Sequence, residues 1–148
     1  MGIPAFSAAG LLPSGVHACT LPEIEAAFTW NSHRQKLFDS FSLCLRDEIR
    51  SRFSQPVYFD GSFVTDKELP DDIDVVLEMT YATLPEQFDS LLFMNGHQQR
   101  LMDHYRVHFW VNFPGANDFA QFFQYVGVKT AKFKGLLPND LKGILRIA

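Results

Sequence analysis

The segment Val57-Tyr58-Phe59-Asp60-Gly61-Ser62, followed shortly by Asp72-Ile73-Asp74-Val75-Val76, constrains the fold more than any other part of the chain. Both runs are rich in β-branched and aromatic residues, the composition that suits a pleated surface. Gln55-Pro56 breaks whatever helix precedes the first run, and Gly61 closes it. The linker before Ile73 is too short for a long helix, and about one helical turn fits after Ser62. Two strands joined this closely, the second extending from Ile73 to Met79, require a sheet.

Helical patterns surround that sheet. Thr20-Leu21-Pro22-Glu23 has capping-box spacing, and Leu21, Ile24 and Phe28 recur at helical intervals, so a short helix starts there. Leu37, Phe38, Phe41, Leu45, Ile49 and Phe53 keep a three-to-four period, with Arg46, Asp47, Arg50 and Arg52 mostly off that stripe. This predicts a long amphipathic helix to about Phe53. Pro85 begins a third helix through Phe88, Leu91 and Leu92, with Asn95-Gly96 as a stop or kink. Tyr105 to Asn112 reads as another strand, closed by Pro114-Gly115. A short helix then turns Phe119, Phe122 and Phe123 inward, and Lys142 to Ile147 reads as a last strand. The Gly- and Pro-punctuated opening from Gly10 to His17 predicts irregular structure. The expectation is an α+β fold, a small mixed sheet packed with helices, in a single domain over residues 1–148. With 148 residues, 47% of them hydrophobic and fifteen of them Phe, one core forms without disulfide or metal staples.

Charge narrows the partners. The net charge of -4 argues against whole-protein attraction to nucleic acid or to an anionic membrane. The segment from Lys129 to Ala148 nevertheless carries five cations against Asp140, a basic tail on an acidic body. Its ordinary reading is a solvated surface; its functional one is an edge facing phosphate or a partner. No apolar run approaches the roughly 18 residues of a membrane span, and the N-terminus has no basic residue ahead of its apolar stretch. Phe6 stands where myristoylation wants Ser or Thr, and no C-terminal Cys is present for prenylation. Cys19 and Cys44 are far apart and give neither a disulfide framework nor a zinc site. The expected compartment is the cytoplasm, with both thiols reduced.

The chemistry-bearing residues lie at the junction of the first two strands. Side chains two apart on a strand share a face, so Asp72 and Asp74 present their carboxylates together. Like charges so placed repel, and a divalent cation between them relieves the repulsion. Hard oxygen donors suit Mg²⁺, with Mn²⁺ as a substitute, and Mg²⁺ commonly bridges to phosphates. Gly61 lets backbone approach a phosphate closely, Ser62 adds a hydroxyl donor, and Lys67 and Lys142 are candidates for charge on a leaving pyrophosphate. Asp60 is read either as a cap on the Gly-Ser turn or as a further ligand. His17, His33, His97 and His104 are read as ordinary surface or core groups.

Gly61-Ser62, the interval to Asp72, and Ile73-Asp74 flanked by Val75 and Val76 resemble the signature of the DNA polymerase beta type nucleotidyltransferase superfamily, especially its minimal bacterial members. The opening Gly10-Leu11-Leu12-Pro13-x-Gly15-x-His17 and the closing Lys142-Gly143-Ile144-Leu145 are similar to small bacterial proteins assigned to it. The resemblance covers most of the chain. It implies a nucleotidyltransferase-like fold, Asp72 and Asp74 as metal ligands with a nucleoside triphosphate, and Gly61 and Ser62 on the phosphates. It also implies a third carboxylate on a later strand.

At that place the sequence reads Val107-His108-Phe109, so His108 stands where the acid is expected. Imidazole is a poor Mg²⁺ ligand but serves Mn²⁺ or Zn²⁺, or acts as a general base near neutral pH. Glu78 and Asp103 do not substitute for the missing acid. The leading expectation is therefore an Mg²⁺-dependent transfer of a nucleoside monophosphate to a hydroxyl, with His108 at the acceptor side. Members of the minimal branch often act as the antitoxin half of a pair with a helical toxin, which implies a protein partner. The alternatives are a catalytically silent module that binds nucleotide or protein, and a purely structural interaction module.

Overall fold

Alternation along the strands sets an apolar face of the sheet against one that mixes polar residues with the buried Val76 and Ile144. The computed structural model describes residues 2–113, 124, 131–132, 134–138 and 140–148. Among these, the elements run β1 (Gly15–Ala18), α1 (Leu21–Phe28), α2 (Ser32–Cys44), β2 (Val57–Asp60), β3 (Ile73–Glu78), α3 (Leu84–Tyr105), β4 (Val107–Asn112) and β5 (Gly143–Ile147). The five strands form one mixed sheet in the order β1-β5-β2-β3-β4. β1 runs parallel to β5 and β3 parallel to β4, while β2 is antiparallel to both β3 and β5. The fold is α+β.

Val57, Phe59, Ile73, Val75, Leu77, Val107, Phe109, Val111, Leu145 and Ile147 line the apolar face and join the core. Ile24 and Phe28 of α1, Leu37, Phe38 and Phe41 of α2, and Phe93 and Leu101 of α3 complete it. The Phe residues interlock in tilted and edge contacts, such as Phe41 on Phe59 at 4.5 Å and Phe93 on Phe109 at 5.6 Å.

Local chemistry explains most element ends. Thr20 accepts from the Glu23 amide and starts α1, and Asn31 accepts from the Arg34 amide and starts α2. α2 widens into a π-helical turn over Leu45–Ile49, which carries the expected amphipathic stripe close to Phe53. Thr83 and Glu86 form a reciprocal capping box at the start of α3.

Two expectations are corrected. Asn95-Gly96 does not stop the third helix, which continues to Tyr105 and ends at Arg106 in the left-handed region (φ 59°). A Gly inside a helix costs about 1 kcal/mol, less than the burial of Phe93 and Leu101 on either side returns. The opening segment is not wholly irregular either, since Gly15–Ala18 forms the edge strand β1. The expected helix with Phe119, Phe122 and Phe123 lies outside the described residues.

Candidate functional site

The polar face of the sheet carries Asp60 on β2, Asp74 on β3 and His108 on β4. Asp60 pairs with Asp74 across the antiparallel ladder, and Asp74 pairs with His108 across the parallel one. Cross-strand partners share a face, so the three side chains form a row. Asp72, two residues before Asp74, lies on the same side just ahead of β3. The sheet therefore brings together Asp72, Asp74 and His108, the residues the sequence singled out.

Gly61 closes on this row. It has φ 92° and ψ -167°, a conformation that side-chain-bearing residues rarely adopt. A Cβ there would stand 2.4 Å from Asp74 Oδ2, so the glycine is required both by its backbone and by the seat of the carboxylate. The next residues form a single 3-10 turn, Ser62–Val64, in which the Val64 amide donates to the Gly61 carbonyl. The tight bend and the acidic strand are thus in contact.

The loop after the bend is fixed from behind by Arg34 of α2. This guanidinium is wholly buried and donates to the carbonyls of Phe28, Phe63, Thr65 and Lys67. Trp30 lies over it at 3.7 Å. Burial lowers its pKa to about 10, which leaves it charged at neutral pH. Lys67 enters this arrangement through its backbone carbonyl, and its side chain is exposed.

Electrostatics bind the row together. His108 Nδ1 lies 3.4 Å from Asp74 Oδ1, and Trp110 Nε1 lies 3.5 Å from the same oxygen. The hydrogen bond to Asp74 raises the His108 pKa against the opposing effect of burial. Burial pushes the Asp72 carboxyl up, and the neighbouring charge of Asp74 adds to it. Asp60 is fully buried, with Oδ1 3.3 Å from Lys142 Nζ and no hydrogen-bond partner for Oδ2 among the described residues. Burial lifts its pKa to about 7, although Lys142 pulls the other way. Lys142 thus reaches the row by neutralising Asp60. Sequence reasoning read Asp60 as a cap on the Gly-Ser turn or as a further ligand; the β2–β3 register sets it opposite Asp74, and its partner is Lys142.

The donor set fits a cation that arrives with its own phosphates. Asp72 and Asp74 offer two hard carboxylates, and Mg²⁺ typically takes one or two from protein and the rest from phosphate and water. Among the described residues, no group of three or more His, Cys, Asp or Glu is placed to hold a metal alone. A cleft of about 440 Å³ on the same sheet opens at the other end of β3, where Tyr58, Glu78, Asn112 and Arg146 line it. Glu78 is roughly 13 Å along the strand from Asp74, so the carboxylates stand outside that cleft.

Residues 4–148 match the model of a family of unknown function, DUF6932, and the chain belongs to that family. No curated protein and no solved structure matches it. No helix among the described residues is long and apolar enough to cross a membrane.

Proposed function

We propose that this DUF6932 member is an Mg²⁺-dependent nucleotidyltransferase that moves a nucleoside monophosphate from a nucleoside triphosphate to a hydroxyl on a partner protein. The observation that carries the reading is Asp74 seated against the glycine bend, with Asp72 in phase and His108 opposite. Asp72 and Asp74 would hold the metal, which when bound supplies charge neutralisation on the triphosphate. Gly61 and Ser62 would take phosphate oxygens, and the exposed Lys67 would add positive charge to that end, while Lys142 is held by Asp60.

His108 is oriented for proton transfer. Its Nδ1 stands 3.4 Å from Asp74 Oδ1, and the hydrogen bond there raises its pKa, so the imidazole serves as a base once pH exceeds that raised value. The acceptor oxygen attacks the α-phosphorus as its proton passes to Nε2. The new O–P bond forms as the α–β bridging P–O bond breaks, and pyrophosphate carries away that electron pair. The position of the carboxylates outside the cleft favours a macromolecular acceptor, and a helical, toxin-like protein is the partner the resemblance suggests.

A second reading, a silent nucleotide-binding module, is favoured by the same histidine. His108 occupies the third acidic position and answers the charge of Asp74 without any metal. The test is incubation with each labelled nucleoside triphosphate, Mg²⁺ or Mn²⁺, and the product of the neighbouring gene. Label transfer lost in Asp72→Ala supports the enzyme. Metal-dependent binding without transfer supports the silent module, and absence of binding leaves only a structural interaction role.

A further inference from the structure

The cleft at the other end of β3 holds charges of both signs that the metal and phosphate chemistry does not use. Glu78 accepts from the Thr80 amide and from the Asn112 side chain, which together fix its carboxylate. Tyr58 hydrogen-bonds with both Glu78 and Arg146; burial and then Glu78 raise its pKa, and Arg146 opposes them. Gln55 lines the same cleft. Its Nε2 donates to Glu86, which leaves the amide oxygen as the acceptor, and that Oε1 is buried with no hydrogen-bond partner among the described residues. A buried acceptor without a donor is costly, and a bound donor would recover the loss.

We propose that this cleft is the base subsite of the nucleotide whose phosphates meet Asp72 and Asp74, and that the base it takes is guanine. This assignment rests on the nucleotidyltransferase reading and adds the identity of the base to it. Reach supports a single ligand across both ends. Asp74 and Glu78 share a face of β3 roughly 13 Å apart, comparable to the span of an extended nucleoside from a phosphate-bound metal to the far edge of its base. Val76 between them is buried, so the sugar lies beside it, along the half-buried Trp110 that pairs with Val76 on β4.

Size and charge select the base. A cavity of about 440 Å³ has room for a purine with its ribose. Guanine sets two adjacent donors, N1–H and the N2 amine, against two adjacent acceptors, O6 and N7, and the second pair is the one a guanidinium takes as a fork. Glu78 and Gln55 accept from N1–H and the amine, and Arg146 donates to O6 and N7. Tyr81, 95% exposed at the cleft, offers a ring for stacking. Adenine has one donor group and no O6, and its amine would face the Arg146 fork.

Isothermal titration of the full chain with Mg²⁺ and GTP, ATP, inosine triphosphate or inorganic tripolyphosphate tests the assignment. GTP is expected to bind about ten-fold or more tighter than ATP, and inosine triphosphate, which lacks only the N2 amine, about ten-fold weaker than GTP. Glu78→Gln should lower the affinity for GTP toward that for tripolyphosphate, with circular dichroism to check folding. The inosine comparison uses the wild type alone and stands even if the variant misfolds. ATP or inosine triphosphate bound as tightly as GTP would overturn the guanine subsite, while metal-dependent binding of tripolyphosphate would leave the phosphate site standing. Failure of all four to bind would overturn both.

Discussion

His108 and Asp74 face each other in register on neighbouring parallel strands, with Nδ1 3.4 Å from Oδ1. An imidazole so placed answers one carboxylate, whereas an acid there would add a hard oxygen donor. In the proposed enzyme, His108→Asp should raise Mg²⁺-dependent label transfer if a third carboxylate limits the rate. His108→Ala should lower it by about 10²-fold, the ordinary contribution of a general base. Initial-rate assays of the two variants distinguish ligand from base.

Gly61 tolerates no side chain. With φ 92° and a Cβ position 2.4 Å from Asp74 Oδ2, Gly61→Ala combines backbone strain with a clash against the acidic strand. The expected cost is about 1–3 kcal/mol from strain alone. Urea denaturation measures it, and a variant as stable as wild type would contradict the geometry.

Lys142 and Asp60 form a buried ion pair. Removing one partner of such a pair costs about 3–5 kcal/mol, because the other is left uncompensated. The Asp60 pKa is already lifted to about 7 and is pushed higher without Lys142, so Lys142→Met should leave Asp60 protonated at neutral pH and lose less than that. The loss should grow as pH rises, while the double variant Asp60→Asn/Lys142→Met removes this pH dependence. A double-mutant cycle by chemical denaturation reads the difference.

Arg34 secures four backbone carbonyls, those of Phe28, Phe63 and Thr65 through buried hydrogen bonds and that of Lys67 through part-buried ones. Arg34→Met leaves them short of donors at about 1–3 kcal/mol for each group not re-satisfied. Arg34→Lys should recover little, since an ammonium cannot reproduce the planar fork. Thermal unfolding of both variants checks this.

Glu48 supplies the pH dependence. Hydrogen bonds from Arg100 and Tyr105 hold its carboxyl down at about 2, against an ordinary value of 4.5. A depressed carboxyl stabilises the fold fully above its unfolded pKa and loses that contribution as pH falls from about 4.5 to about 2. The Glu48→Gln variant should be less stable than wild type at pH 7, and the gap should shrink below about pH 4.5 and close only as pH falls through about 2, where the folded carboxyl is itself protonated. Parallel urea titrations across that range show whether it does.

The sequence made β2, β3 and β4 legible because each is a dense run of Val, Ile and aromatic residues with a clear break at its ends. β1 was hidden for the opposite reason. It has four residues and alternating exposure, and its pairing partner β5 lies at the other end of the chain. The close approach of Gly143 to the Pro13 carbonyl, where a Cβ would stand at 2.1 Å, is a tertiary fact that no local pattern announces.

The same distinction holds at the site. Asp72 and Asp74 share a face by strand periodicity alone, whereas His108 was singled out by the resemblance, which implies a third acid on a later strand. Asp60 and Arg34 needed the fold. Asp60 joins the row only through register, and Arg34 reads from sequence as one more polar position near a helix start. Its burial comes from the loop that wraps it after Gly61.

Isothermal titration of the wild type and Asp74→Asn with a non-hydrolysable nucleoside triphosphate, with and without Mg²⁺, tests the central claim most directly. The account predicts binding that requires the metal and weakens at least ten-fold in Asp74→Asn, while the variant stays folded. Binding that ignores both the metal and the substitution, or no binding by the wild type to any of the four nucleotides, would contradict it.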